Sequence, residues 1–173
     1  MLNNAKMSRR SVRKVGNFRR NVTYFYQFHN GAVGATAGFL RMELRGDNVK
    51  ITINIQEPYR SERGKPVLYL YHQMGDILSA VKICEVERQG GVITMQTRTP
   101  WRQMFDTGRD LYTFDGAIVM YNDNDYYLGD FADRDRSSFE IRIDQRDDSK
   151  ESDEKNESAL SDDISQNEQD DAA

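Results

Sequence analysis

The single cysteine, Cys84, and the two histidines, His29 and His72, are the residues with which this sequence could build a nucleophilic centre. A cysteine attacks as the thiolate, so it needs a base such as histidine within hydrogen-bonding distance. The apolar alternation pairs Leu70 with Val81 across a hairpin, which puts His72 on their face and Cys84 on the opposite face. The pairing therefore predicts an inert thiol, no catalytic residues and a protein that is not an enzyme.

Metal ligands are equally scarce, and no cofactor is expected, because one cysteine and two histidines on separate hairpins lack the spacing of a zinc site. The Asn and Asp side chains between Asn122 and Asp135 would suit calcium, but the glycine and final glutamate of an EF-hand loop are missing. Asn and Asp are also the usual residues of hairpin turns, and that interpretation is favoured. An enzyme stays an open alternative, because acids such as Asp106, Asp110 and Asp115 could converge in the folded chain without any sequence motif.

Charge is distributed unevenly along the 173 residues. Residues 1–20 carry seven cations and no acid, whereas residues 144–173 carry twelve acids against three cations. The basic segment could contact nucleic acid or an anionic surface in a salt-sensitive manner. The candidate anion-contacting residues of this arm are Arg9, Arg10, Arg13, Lys14, Arg19 and Arg20. No sustained basic strip in the sequence continues this arm into the domain.

Tyr69 and Tyr71 alternate along one strand and share a face with Lys82, which is expected on the neighbouring strand. Tyrosines on an exposed sheet face can stack on sugars or bases, or can anchor a protein partner. The same two tyrosines would also fit beneath a second packed layer, because a central strand needs cover on both faces. Tyr69, Tyr71 and Lys82 are therefore a possible binding face.

The segment between the charged ends shows the period-two alternation of β-strands joined by tight turns. Asn30-Gly31, Gly46-Asp47 and Gly75-Asp76 supply turn residues that tolerate positive φ angles. On either side of the second turn, apolar and polar residues alternate from Leu40 to Leu44 and from Val49 to Ile55, so one face is core and the other faces water. About eight short strands with almost no helix predict an all-β fold, either an antiparallel β-sandwich or an open barrel.

The same turns predict how the strands pair. The strand before the first turn is expected to pack inward through one face, which carries Val22, Tyr24, Tyr26 and Phe28. A change in apolar parity after Gly38 indicates a bulge or bend. Around the third turn, Leu68 is expected opposite Ile83. A last edge strand is expected over Phe139, Ile141 and Ile143.

Three regions are expected along the chain: a disordered basic arm over residues 1–20, a β domain over 21–143 and a disordered acidic tail over 144–173. The tail has too few large apolar groups to offset the entropy of ordering it. One cysteine cannot form an internal disulfide, which favours a reducing, cytoplasmic setting. The charged N-terminus and the lack of a long apolar run predict neither export nor a membrane span.

Several stretches of this sequence share motifs with a known group of domains. They are Tyr24-Phe25-Tyr26, His29-Asn30-Gly31, Gly38-Phe39-Leu40-Arg41-Met42-Glu43-Leu44-Arg45-Gly46, Leu111-Tyr112-Thr113-Phe114-Asp115-Gly116-Ala117-Ile118 and Tyr127-Leu128-Gly129-Asp130-Phe131-Ala132-Asp133. Together they resemble an uncharacterised β-rich domain family of Gram-positive clostridial bacteria, over about residues 22–133. Phe131-Ala132 departs from the Trp-Asp-Asp-like ending expected there. The family has no assigned activity or ligand, so the resemblance implies a β-rich bacterial domain and no particular site.

The leading functional hypothesis is a non-catalytic cytoplasmic module that binds another macromolecule, with a protein as the favoured partner. A glycan-binding module that uses the tyrosine face is one alternative. Nucleic-acid binding through the basic arm is the other. The sequence does not define the partner or the oligomeric state.

Overall fold

The computed structural model describes residues 20–57, 64–134 and 138–145, and the expectations for residues 1–19 and 146–173 lie outside these ranges. The strands are β1 (Arg20–His29), β2 (Ala32–Arg45), β3 (Asn48–Gln56), β4 (Val67–Met74), β5 (Ile77–Glu85), β6 (Glu87–Gln89), β7 (Val92–Pro100), β8 (Gly116–Asn122), β9 (Asp125–Asp130) and β10 (Glu140–Asp144). Two single-turn 3-10 helices lie between β7 and β8, at Met104–Asp106 and Leu111–Thr113. The all-β prediction is confirmed, with ten strands instead of about eight. Within the described ranges, no helix has the length and apolar character that crossing a bilayer requires.

Tight turns join neighbouring strands, and their residues have the backbone angles that such turns need. Asn30 and Gly31 have φ angles of 49° and 78°, the two positive values of a type I′ turn. Gly46 and Gly75 also have positive φ angles, of 60° and 61°. All three predicted turns are therefore confirmed, and each joins an antiparallel strand pair.

The ten strands form one sheet in the order β10-β5-β4-β8-β9-β1-β2-β3-β7-β6. β5 lies next to one end of this order and β6 lies at the other end, although only Val86 separates them in sequence. The two ends of the sheet must therefore approach each other, which requires the sheet to curl. The result is a half-barrel, so the open barrel of the two predicted architectures describes the fold.

The interior cluster is the set of buried apolar side chains on the concave side of the sheet. It draws on every strand from β1 to β9 except β6, and on the segment between β7 and β8. Its largest fully buried members include Phe25, Leu40, Met42, Ile51, Ile53, Ile55, Leu68, Leu70, Ile93 and Met104. Burial of each such side chain stabilises the fold by roughly 1.5–3 kcal/mol. The predicted alternation of β2 and β3 is confirmed by this packing.

The outer cluster is a second apolar group on the convex side. It contains Phe28, Tyr69, Tyr71, Leu78, Ala80, Ile118, Met120, Tyr126 and Leu128. Phe139 and Ile141 pack against it, with the Phe139 ring edge-on to Phe28 at a centroid distance of 5.5 Å. The predicted last edge strand is confirmed as β10, which pairs in parallel with β5. Phe139 and Ile141 thus extend the apolar packing on this half of the convex side.

The expectation that one face of β1 packs inward is wrong for Val22 and Tyr24, whereas Tyr26 and Phe28 pack in the outer cluster. Val22 and Tyr24 are 40% and 58% exposed, and the side chains that point to the interior are Thr23 and Phe25. Phe28 pairs with Val33 near the turn, and after two register shifts between β1 and β2 Tyr24 pairs with Phe39. One shift lies next to Gly38 in β2, so the bulge expected there is confirmed.

The position of Cys84 also differs from the prediction. A register shift after Leu68 pairs this residue with Cys84 in place of Ile83. Because the bulge adds a residue to β5, the side chain of Cys84 packs against the interior cluster and not on the opposite face. Leu70 and Val81 are paired as predicted.

Candidate anion-binding face

The convex side of the half-barrel has two halves of different character. One half is the outer cluster, against which Phe139 and Ile141 pack. The other half is formed by the outward side chains of β1, β2, β3 and β7, which pair with one another in this order. Phe139 and Ile141 pack against the first half, whereas outward side chains of the second half, such as Arg20, Tyr24 and Arg98, are exposed.

We call this second half the cationic face. Its outward positions follow from strand pairing and from alternation with the buried residues of the same strands. They are Arg20, Val22 and Tyr24 of β1, Phe39, Arg41, Glu43 and Arg45 of β2, Lys50, Thr52 and Asn54 of β3, and Thr94, Gln96 and Arg98 of β7. Five cations and one acid give these positions a net charge of +4. Its far border is acidic, because Glu87 of β6 lies opposite Thr94.

Glu43 neutralises only one corner of the cationic face. Its carboxylate lies 4.0 Å from Nε of Arg20 and 3.5 Å from the terminal nitrogen of Arg45. Both arginines are mostly exposed, so these ion pairs add little stability. The remaining three cations, Arg41, Lys50 and Arg98, make no ion pair with any described residue.

Lys50 and Arg98 lie directly opposite each other on β3 and β7. Two like charges directly opposite each other destabilise a sheet by about 0.2–1 kcal/mol. Arg41 lies one row away, and its Nε is buried without a hydrogen-bond partner. On the other side of Lys50, Glu43 of β2 lies directly opposite it, but the Glu43 carboxylate makes its ion pairs with Arg20 and Arg45.

Two aromatic side chains adjoin these cations. Tyr24 is 58% exposed and pairs with the half-buried Phe39. Val22, the next outward residue of β1, lies opposite Arg41. Aromatic faces beside cations can stack on the bases of an anionic polymer whose backbone the cations contact.

The cations predicted for the N-terminal arm fall on both sides of the described boundary. Arg9, Arg10, Arg13, Lys14 and Arg19 lie outside the described residues. Arg20 is the first residue of β1 and belongs to the cationic face. The basic segment therefore enters the domain at this face.

The predicted tyrosine face is largely buried. Tyr71 is 1% exposed and Tyr69 is 9% exposed, because both belong to the outer cluster, whereas Lys82 is exposed. The Tyr71 hydroxyl donates to Oδ2 of Asp130 at 3.1 Å. Burial and the nearby Asp130 raise the pKa of Tyr71 above its usual value. The packed-layer interpretation is therefore the one that describes these tyrosines, and stacking of a ligand on Tyr71 is excluded in this conformation.

Cys84 and His72 do not form a nucleophile-base pair. His72 lies opposite Ser79, and Cys84 lies opposite Leu68 near the other end of the same hairpin. The Cys84 sulfur is 4.0 Å from the Met95 sulfur, and burial raises the pKa of the thiol. This environment disfavours the thiolate.

A charged cluster surrounds His72 at one end of the half-barrel. Nδ1 of His72 lies 2.7 Å from Oδ2 of Asp115, without the alignment of a hydrogen bond, and Arg134 contacts the other oxygen of Asp115 at 3.2 Å. Arg134 also contacts Asp130 at 2.9 Å. Burial lowers the pKa of Arg134, but Asp130 and Asp115 outweigh it and the pKa is raised. Arg134, the arginine of this cluster, already pairs with both carboxylates, so the cluster is not the preferred site for an anion.

The acids considered as a convergent catalytic set have separate surroundings. Asp110 accepts hydrogen bonds from the amide and hydroxyl of Thr113, whereas Asp115 contacts His72 and Arg134. No hydrogen bond or ion pair among the described residues joins Asp115 to Asp106 or Asp110.

Asn122 to Asp125 form the turn between β8 and β9, in which Oδ1 of Asn122 accepts the amide of Asn124 at 2.9 Å. Among the described residues, no group of three or more His, Cys, Asp and Glu side chains is arranged to hold a metal ion.

A groove of about 620 Å³ separates β5 from β7, where the half-barrel does not close. Cys84, Glu85 and Glu87 line one wall, and Met95 and Thr97 line the other. The groove borders the cationic face through Thr94 and Gln96, but its own charged residues are acidic.

No model of a protein family, no curated protein and no solved structure matches this chain. The resemblance to a clostridial domain family therefore stays a prediction.

Sequence reasoning missed the cationic face because its cations are distributed over strands that are far apart in sequence. The alternation of Arg41, Glu43 and Arg45 with apolar residues did indicate that these side chains face water. The pairing of β3 with β7, which places Arg98 beside Lys50, could not be deduced from local patterns. That pairing brings the charges together.

Proposed function

We propose that this protein is a non-catalytic module that binds single-stranded nucleic acid on the cationic face. The observation that carries the proposal is the sheet surface of net charge +4, on which Arg41, Lys50 and Arg98 have no described ion pair. A phosphate backbone would supply the missing negative charge and release counterions on binding.

The size and chemistry of the face fit an extended strand of nucleotides. Its four strands span about 14 Å from β1 to β7 at the usual spacing of about 4.8 Å between strands. Thr52, Asn54, Thr94 and Gln96 add neutral hydrogen-bonding groups between the cations. Tyr24 offers an exposed ring on which a base can stack, a contact worth about 1–3 kcal/mol per base.

The basic N-terminal segment supports the same function. Residues 1–19 carry six cations and no acid, and the chain leads from them into Arg20 on the cationic face. An anionic polymer bound to the face can therefore also contact the arm. The six cations of residues 1–19 thus precede the cationic face directly in the sequence.

The partner that the sequence favoured, another protein, is the alternative ligand for the cationic face. An acidic protein could also neutralise the cationic face, whereas the exposed aromatic ring beside the cations favours nucleotides. Glycan binding on Tyr69 and Tyr71 loses its physical basis because both rings are largely buried.

Fluorescence anisotropy with a labelled single-stranded oligonucleotide tests the proposal. The full chain is compared with the triple variant Arg41→Gln, Lys50→Gln, Arg98→Gln, for which we expect at least tenfold weaker binding at about 0.1 M salt. The matched control is Lys65→Gln, Lys82→Gln, Arg142→Gln, which removes the same charge elsewhere and should bind like the natural chain. Equal binding by both triple variants would refute the assignment of the face.

Two further arms of the experiment separate nucleic acid from other anions. Poly-glutamate that competes as well as the oligonucleotide at equal charge would overturn the proposal in favour of an acidic protein partner. Tyr24→Ala should weaken oligonucleotide binding about fivefold or more, as expected for loss of one stacked base. Tyr112→Ala removes an exposed ring outside the cationic face and should leave binding unchanged.

A further inference from the structure

We infer that the acidic C-terminal segment, residues 146–173, docks on the cationic face of its own chain and competes there with nucleic acid. The inference rests on the proposed function for the identity of the competitor. Docking itself depends only on the charge of the face and of the segment.

The charges of the two surfaces are complementary. Residues 146–173 contain eleven acids and three cations, a net charge of −8. The cationic face has a net charge of +4, and it includes three cations without a described carboxylate partner. Carboxylates of the segment would supply partners for the three cations with which Glu43 makes no ion pair.

The segment is also long enough to reach the face. It follows β10, which ends at Asp144 on the edge strand beside β5. Its 28 residues reach about 90 Å when extended, at about 3.3 Å per residue. A domain of this size has a radius of gyration of about 14 Å, so any point of its surface is within reach.

An attached segment competes strongly even when its contacts are weak. A short tether gives an effective concentration on the order of 1 mM. If the segment dissociates from the face with a constant of about 0.1 mM, its presence lowers the apparent affinity for a competitor about tenfold. Screening by salt should remove this competition, because the face and the segment interact through exposed charges.

Three forms of the chain test the inference: the full chain, a chain that ends at Gln145, and a full-length chain in which the eleven acids of residues 146–173 are replaced by their amides. The first measurement is the NMR spectrum without nucleic acid. Signals of Lys50, Thr52, Gln96 and Arg98 should differ between the full chain and the other two forms, and the differences should vanish at about 1 M salt.

The second measurement is oligonucleotide affinity, which should rise about tenfold in the shortened and the amide forms. In the triple variant Arg41→Gln, Lys50→Gln, Arg98→Gln, removal of the segment should leave the NMR signals of the face unchanged. The remaining oligonucleotide affinity should then rise by much less than tenfold. This variant separates docking on the face from attraction between the two ends of the chain.

The outcomes distinguish the inference from the proposed function. If the NMR signals of the cationic face do not change when the segment is removed, docking is overturned, whatever the oligonucleotide affinity. Changes confined to the signals of residues 1–19 also overturn docking. Face signals that respond to the segment, in a chain that binds no oligonucleotide in any form, would support docking and refute the proposed function. Response in both measurements supports the whole inference.

Discussion

Glu57 is the most buried charged side chain of an ion pair in the described structure, with a side chain 2% exposed at the end of β3. One of its oxygens accepts the Tyr127 hydroxyl at 2.8 Å, and the other accepts Nε of Arg88 at 2.6 Å and the Tyr121 hydroxyl at 2.8 Å. A buried carboxylate is tolerated only with such partners. These contacts tie β3 and β6 to β8 and β9 across the half-barrel.

Substitution Glu57→Gln should therefore lower the free energy of unfolding by roughly 1–3 kcal/mol. The amide replaces one acceptor oxygen with a donor and removes the negative charge, so a tyrosine hydroxyl has to accept where it now donates and Arg88 loses its charged partner. Urea unfolding, followed by the fluorescence of the single tryptophan, Trp101, measures the change. The control Glu85→Gln removes a carboxylate that is 60% exposed and pairs with Lys65, and it should change stability by less than about 0.5 kcal/mol. Equal effects of the two substitutions would contradict the assigned role of Glu57.

Cys84 allows a test of the pH dependence of one residue. Burial raises the pKa of its thiol, so the reactive thiolate should form at higher pH in the folded chain than in the unfolded chain. The rate of alkylation by iodoacetamide should reach half its maximum above about pH 8.5, the value of a free cysteine. The chain in concentrated urea provides the reference rate. A folded chain that reacts faster than the unfolded one at pH 7 would instead indicate an activated nucleophile.

At the scale of elements, Gly38 determines how β1, β2 and β3 fit together. It lies between Phe25 of β1 and Ile55 of β3, on the interior side of the sheet. A Cβ atom at this position would lie 2.1 Å from the backbone oxygen of Asn54 and 2.6 Å from Cα of Ile55. Only glycine allows this close approach of two strands.

Gly38→Ala should thus destabilise the fold by about 1–3 kcal/mol or more, because a backbone has to move to relieve the contact. Gly34→Ala in the same strand is a matched control, since its Cβ would meet Gln27 at an ordinary distance of 3.4 Å. That change should alter stability by less than about 0.5 kcal/mol. Thermal unfolding of both variants measures the difference, and a tolerated Gly38→Ala would show that the strands are farther apart than described.

The sequence predicted the hairpins well because turn residues and alternation are local properties. The φ angles of Asn30 and Gly31, and the burial of Leu40, Met42 and the apolar residues of β3, follow from neighbouring residues alone. Alternation also placed Val22 and Tyr24 on one face, but it does not say on which side of the sheet that face lies. The register shift after Leu68 depends on how the strands pack, and it accounts for the error at Cys84.

At the scale of the whole molecule, the candidate site depends on strand order. The sequence identified Arg20 as a possible anion contact and predicted that Arg41 and Arg45 face water. It could not place Arg98 beside Lys50, because β3 and β7 pair across an intervening stretch that contains β4, β5 and β6. Long-range pairing therefore produces the charge concentration that a search for a continuous basic strip missed.

The salt dependence of binding tests whether this charge concentration acts as a unit. For single-stranded nucleic acid, the logarithm of the binding constant falls with the logarithm of salt concentration with a slope of about −0.7 per neutralised phosphate. If Arg41, Lys50 and Arg98 each neutralise one phosphate, their replacement by glutamine should make the slope shallower by about 2.

The control triple variant at Lys65, Lys82 and Arg142 should retain the slope of the natural chain, although its net charge changes by the same amount. Deletion of residues 1–19 should make the slope shallower by a separate amount, since the arm carries six further cations. Identical slopes for the natural chain and the variant of the face would mean that the arm alone contacts the polymer. A slope reduced equally by both triple variants would indicate a response to net charge, with no defined site on the sheet.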